Sequence, residues 1–159
     1  MKKLRIYLET TVFNWYYETE RGFVGDIQLL FDEIAEGKFE AYASEYVIEE
    51  MLKTKDPDRR KLLMDLLERS GVAILRKSAE AEALAEQYAV HGVITKRHYY
   101  DRWHLACAAV NGLDAIISFN FTHINRIWTK DKIQAVNRLN DYAPISINLP
   151  MEVTGNENV

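Results

Sequence analysis

Short β-prone segments alternate along this chain with longer stretches of helical period. Leu4–Leu8 sets Ile6, Tyr7 and Leu8 in a row, the pattern of a strand buried on both faces and therefore a central one. A polar break at Glu9-Thr10-Thr11 follows. Residues 26–36 then place Ile27, Leu30, Phe31 and Ile34 at helical spacing, with Gly37 as a C-terminal stop. Residues 39–43 predict a second strand, and Ser44 caps a helix whose apolar side is Tyr46, Val47, Met51 and Leu52. Pro57 suits the first turn of a further helix that runs to Arg69 and is closed by Gly71.

The alternation continues to the C-terminus. Residues 72–75 predict strand three, and Ser78 opens a helix to about residue 90. A helix over 95–111 carries Tyr99, Trp103, Ala106, Cys107 and Val110 at helical spacing. It leads through Gly112 into a fourth strand, 115–119. A last helix over 129–139 and a fifth strand within 144–149 precede a polar tail. No tight hairpin signal joins the strands, so βα crossovers and a mostly parallel sheet follow, about five strands with helices on both faces: an α/β protein of three layers. Without repeat or linker, residues 1–150 read as a single domain and 151–159 as a polar C-terminal tail.

Composition narrows the functional classes. With 159 residues, 48% apolar and 28% charged, one core can bury roughly two thirds of the unfolded surface. A single Cys excludes an intramolecular disulfide and a Cys-based zinc site and points to a reducing compartment. Arg5 and Glu9 interrupt what an export signal would need after the basic start, and no apolar run reaches the ~20 residues of a membrane helix. A cytoplasmic protein without a membrane partner is expected. The net charge of −4 gives no global attraction to phosphate backbones, so nucleic-acid contact must rest on local basic patches.

In open α/β sheets, sites lie beyond the carboxyl ends of the strands. Strand one runs into Glu9 and strand four into Asn120. Glu50, in SEYVIEEM, and Asp101, in YYDRWHLACAA, sit on helices that can face the same end. Three carboxylates in one cleft repel each other unless a divalent cation compensates them. Oxygen-only ligands favour Mg²⁺ or Mn²⁺ over zinc. Such an ion polarises a phosphate and lowers the pKa of a bound water. Asn120 adds a donor and an acceptor without charge, and Thr11 and Ser118 stand two residues from proposed ligands, where they can orient carboxylates by hydrogen bonds.

Four pieces in order, RIYLETTVFN, ASEYVIEEM, YYDRWHLACAAVNGLDAIISFNF and NRIWTKDKIQAVNRLNDYAPISINLPMEV, resemble the PIN-domain ribonucleases, which include the toxins of VapBC-type toxin–antitoxin pairs. The resemblance spans most of the chain. It implies a PIN-like α/β/α sandwich, Mg²⁺- or Mn²⁺-dependent endoribonuclease activity on RNA, a homodimer and an antitoxin partner. It makes Glu9, Glu50 and Asp101 the metal-binding acids and Asn120 the fourth polar member of the catalytic set. The family normally has Asp where this chain has Glu9, one methylene shorter, against octahedral Mg²⁺ geometry with oxygens at ~2.0–2.1 Å.

Plainer readings stand beside these. Glu50 has Glu45 and Glu49 as neighbours, the pattern of a solvated face. Asp101 near a helix start complements the helix dipole, Asp114 suits a turn, and His104 suits a packed helix position. Lys96, Arg97 and Arg102, and farther on Arg126, Lys130, Lys132 and Arg138, are candidates for RNA phosphates, and Trp15, Tyr16 and Tyr17 for stacking on bases or for packing a core. Two other functions remain: a PIN-like module that binds RNA or protein but cleaves weakly, and a nucleotide-binding or phospho-receiver domain. Against the second, neither GxGxxG nor GxxxxGK[ST] follows strand one, and only one acid stands there.

Overall fold

The computed structural model describes residues 2–155. Five parallel strands, β1 (Leu4–Leu8), β2 (Phe39–Ser44), β3 (Ala73–Leu75), β4 (Ala115–Ile117) and β5 (Ser146–Asn148), form one sheet in the order β3-β2-β1-β4-β5. Seven α-helices connect them: α1 (Thr10–Tyr16), α2 (Val24–Ala35), α3 (Glu45–Leu52), α4 (Pro57–Arg69), α5 (Ala79–Val90), α6 (Tyr99–Val110) and α7 (Ile127–Leu139). The expected α/β architecture is therefore present. Right-handed crossovers place the helices of the β1–β2 and β2–β3 connections on one face of the sheet and the later ones on the other. Packing divides the same way: α1 lies against α2 and α4, whereas α5 lies against α6 and α7.

The central strand is buried as its sequence predicts. Ile6, Tyr7 and Leu8 are all inaccessible, and β1 pairs with β2 through Tyr7 and Tyr42 and with β4 through Leu8 and Ile117. Each fully buried Ile or Leu contributes roughly 1.5–3 kcal/mol of transfer free energy. The strand order reverses between β1 and β4, so a crevice opens beyond their carboxyl ends. Helix starts follow their caps. Ser44 Oγ accepts from the Tyr46 and Val47 amides, Ser78 Oγ from Ala81, and Asp56 from Asp58 with Pro57 in the first turn.

Several boundaries differ from the sequence-based expectation. The polar break at Glu9-Thr10-Thr11 is the start of α1, which buries Val12 and Phe13. Glu9 occupies the N-cap position without capping, because its carboxylate is engaged elsewhere. Helix α6 begins at Tyr99 rather than residue 95, since the His98 amide closes a turn onto the Thr95 carbonyl. Strand β4 ends at Ile117, freeing Ser118 to Asn120 for side-chain bonding. Packing also continues past residue 150. A 3₁₀ turn at Pro150–Glu152 packs on α2, Val153 is buried, and the Gly155 amide donates to the Glu33 carboxylate. The remainder of the expected tail, 156–159, lies outside the described residues. No helix among the described residues is long and apolar enough to cross a membrane.

Candidate active site

All four polar residues expected beyond the strand ends gather at the crevice between β1 and β4. Glu9 follows β1, with its amide donating to the Ile117 carbonyl, and is 1% exposed. Its Oε1 accepts from Thr11 Oγ1 at 2.5 Å and from Ser118 Oγ at 2.6 Å. Both hydroxyls expected to orient carboxylates thus converge on one oxygen of Glu9.

Glu50, on α3, is held by a residue that the sequence did not single out. Thr10 Oγ1 donates to Glu50 Oε1 at 2.5 Å, and His104 Nε2 stands 2.8 Å from the same oxygen. His104 is fully buried; its Nδ1 lies 2.6 Å from the Tyr7 hydroxyl, which lies 2.6 Å from Ser44 Oγ. Burial pushes the imidazole pKa down, but the hydrogen bond and charge of Glu50 outweigh it and raise it overall. With Nε2 bonded to the Glu50 carboxylate, Nδ1, the Tyr7 hydroxyl and Ser44 Oγ continue one buried chain of hydrogen bonds. Burial keeps that phenol protonated.

Asp101 lies in the first turn of α6, and its Oδ1 accepts from Asn120 Nδ2 at 3.0 Å. Asn120 Oδ1 in turn accepts from the His123 amide at 3.0 Å. Asn120 therefore positions Asp101 with its amide nitrogen.

Electrostatics follow from burial. Desolvation raises the Glu9 carboxyl from 4.5 to about 7, against the His104 charge and both hydroxyl bonds, and with Glu50's charge adding to the rise. Desolvation likewise raises Asp101 from 3.8 to about 6, opposed by His104 and by Asn120. Burial works in the same sense on Glu50, but the His104 bond and charge and the Thr10 hydroxyl win, and its pKa falls. His104 thus works against burial on all three acids at once.

The donor set suits a hard divalent cation. One oxygen of each carboxylate is pinned by protein donors, whereas Oε2 of Glu9, Oε2 of Glu50 and Oδ2 of Asp101 have no hydrogen-bond partner among the described residues. Oxygen ligands held by neighbouring hydrogen bonds are what Mg²⁺ and Mn²⁺ sites require. Ligand atoms of Glu9, Glu50 and His104 lie within 4.8 Å of one another; Asp101 falls outside that group and makes another with His98 and His123. Since both His104 nitrogens are occupied, His104 holds Glu50 rather than offering a lone pair.

The other candidates separate clearly. Arg97 lines a cavity with Glu50, Lys53 and Asp101. Lys96 is exposed and pairs with Glu86 at 3.3 Å. Arg102 is a correction: it is 5% exposed, and its guanidinium donates to the carbonyls of Ala85 and Lys96, so it is not presented to RNA. Trp15 stacks on Phe119 at 4.5 Å between ring centroids and packs on the core. Asp114 binds the Arg5 amide at the opposite end of β1. Cys107 is a buried core residue.

No curated protein matches this sequence. Among solved structures, a chain in the crystal structure of VapBC2 from Rickettsia felis bound to a DNA fragment from their promoter has a similar fold. Identity is 13%, the match covers 91% of this chain and 98% of that one, and the TM-score is 0.56. The family model for the PIN domain matches residues 6–127, from β1 through the Asp101 helix to beyond Asn120; the chain belongs to the PIN-domain family.

Proposed function

We propose that this chain, acting as one domain, is a divalent-metal-dependent endoribonuclease of the cytoplasm and the toxin of a toxin–antitoxin pair. Glu9, Glu50 and Asp101 hold Mg²⁺ or Mn²⁺, and Asn120 completes the catalytic set. The observation that carries this reading is the shared design of the three acids, each with one oxygen fixed and one without a partner among the described residues, at the strand-order reversal. A divalent cation held by these acids would supply Lewis-acid polarisation of the scissile phosphate and a lowered pKa for the attacking water.

The chain's own residues do the positioning. Thr11 and Ser118 fix Glu9, Thr10 and His104 fix Glu50, and Asn120 fixes Asp101. Lys53 and Arg97, beside Glu50 and Asp101, bring positive charge to the cleft where a phosphate backbone lies. Lys96, farther out, adds to the same basic side. Assembly as a homodimer with an antitoxin belongs to this reading, which the VapBC2 likeness supports at the level of fold.

The test is calorimetric titration of metal-free protein with Mn²⁺, repeated on Asp101→Asn, with cleavage of a labelled single-stranded RNA by the same preparations. Binding and cleavage that both disappear in the variant establish the nuclease. Absence of both in the unaltered protein favours the alternative, a PIN-like module that binds RNA or protein and cleaves poorly, with Glu9 and Asn120 as the reason.

A further inference from the structure

His98, Asp101 and His123 come from three places in the chain and meet beside the acid cluster. His98 is the N-cap residue of α6, Asp101 is three positions on in its first turn, and His123 lies in the turn after β4. Their ligand atoms lie within 4.8 Å of one another, and the two imidazole rings face each other at 3.8 Å between centroids. Neither imidazole has a hydrogen-bonded ring nitrogen among the described residues, in contrast to His104, whose two are both taken. Asn120 ties the group together. Its amide nitrogen donates to Asp101 and its oxygen accepts from the His123 backbone, so one side chain sets the carboxylate and the second histidine in register.

We propose that His98, Asp101 and His123 form a binding site for a divalent transition metal of the zinc class, separate in chemistry from the oxygen-only centre and sharing Asp101 with it. Two imidazoles and one carboxylate suit Zn²⁺, Co²⁺ or Ni²⁺ and are poor ligands for Mg²⁺. A tetrahedral ion bound at ~2.0–2.1 Å needs its ligand atoms roughly 3.3 Å apart, a closure that rotation of two partly exposed histidine rings can supply, with water as the fourth ligand. The carboxylate is the least mobile member and already carries a fixing hydrogen bond, as metal-ligating groups usually do.

This site does not depend on the chain being a nuclease, and its test reads binding rather than cleavage. Metal-free protein is titrated with Co²⁺, and visible d–d absorption is followed for the signature of nitrogen ligation that oxygen-only sites do not give. The expected result is one Co²⁺ per chain with imidazole ligation. His98→Ala and His123→Ala should each weaken it at least tenfold, with melting temperature as the folding control. Crystals of the unaltered protein soaked in Co²⁺ should show anomalous density between His98, Asp101 and His123, a result that stands even if a variant fails to fold. Unchanged Co²⁺ affinity in both variants, or Co²⁺ density only at Glu9 and Glu50, overturns the proposal.

Discussion

Thr11 Oγ1 donates to Glu9 Oε1 over 2.5 Å while accepting from the backbone amide of Phe119 at 2.8 Å. One hydroxyl thereby ties the acid after β1 to the chain leaving β4. Thr11→Val keeps the shape and removes both bonds. Unpaired buried polar groups cost about 1–3 kcal/mol each. The variant should lose about 2 kcal/mol in urea denaturation; a change under about 0.5 kcal/mol would mean that water replaces the hydroxyl.

Glu9→Asp tests whether this centre is built around the longer acid. Two hydroxyls meet Oε1 where Glu places it, and shortening by one methylene withdraws the carboxylate from both. Lower stability and at least tenfold slower RNA cleavage are expected. Equal or faster cleavage would show that the shorter side chain reaches the metal better and that the hydroxyls follow it.

The raised carboxyls make the metal-free protein sensitive to pH in a defined sense. A carboxyl whose folded pKa exceeds its unfolded one binds more protons folded than unfolded between those values, so stability falls as pH rises through them. For Glu9 the window runs from 4.5 to about 7, and for Asp101 from 3.8 to about 6. The raised His104 acts in the same direction above 6.5, losing its stabilising charge as pH climbs. Glu50, lowered, loses its contribution only on acidification below 4.5. The melting temperature without metal should therefore fall from pH 4.5 towards 7 and recover with Mn²⁺; a flat profile would contradict the shared-charge picture.

Asp101→Asn removes charge and almost no volume. The replacement amide oxygen can still accept from Asn120. Cleavage should drop below detection, while above pH 6 the metal-free variant should melt no lower than the parent, because an ionised buried acid has been neutralised. Unfolding of the variant would assign the acid a structural part.

His104→Leu leaves the Tyr7 hydroxyl and Glu50 without their shared partner. At roughly 1–3 kcal/mol for each group, a loss of about 3 kcal/mol is expected by denaturant titration, and Mn²⁺ should restore more of it than it adds to the parent. A neutral outcome would show that the imidazolium contributes nothing net against its own desolvation.

The parallel sheet, its central first strand and the placing of four polar residues at one sheet end were legible because they follow from alternation and from strand-end position. Glu50 was distinguishable from Glu49 only by resemblance; in the structure Glu50 turns to Thr10 and His104, while Glu49 pairs with Lys77 at 2.6 Å. Helix α1 was missed because Thr10 and Thr11 are weak helix formers and Glu9 spends its side chain on Ser118 instead of on a cap. Arg102 was misplaced for a different reason. A charged residue on an apolar helix reads as solvent-facing, and no sequence pattern reveals that the Ala85 and Lys96 carbonyls will receive it. Thr10 likewise carried no signal, since its role arises only when α1 and α3 pack together.

The pairing of Leu8 with Ile117 sets the order in which the molecule can be made. A growing polypeptide that has released β1 and β2 from the ribosome still lacks the strand on the other side of β1, the helix that brings Asp101 and His104, and the turn that brings Ser118 and Asn120. The centre cannot form early, because its first acid waits for partners more than a hundred residues downstream. Under the proposed function this delay would keep the nascent chain from cleaving the message being read until most of it has been synthesised, whatever partner later restrains it.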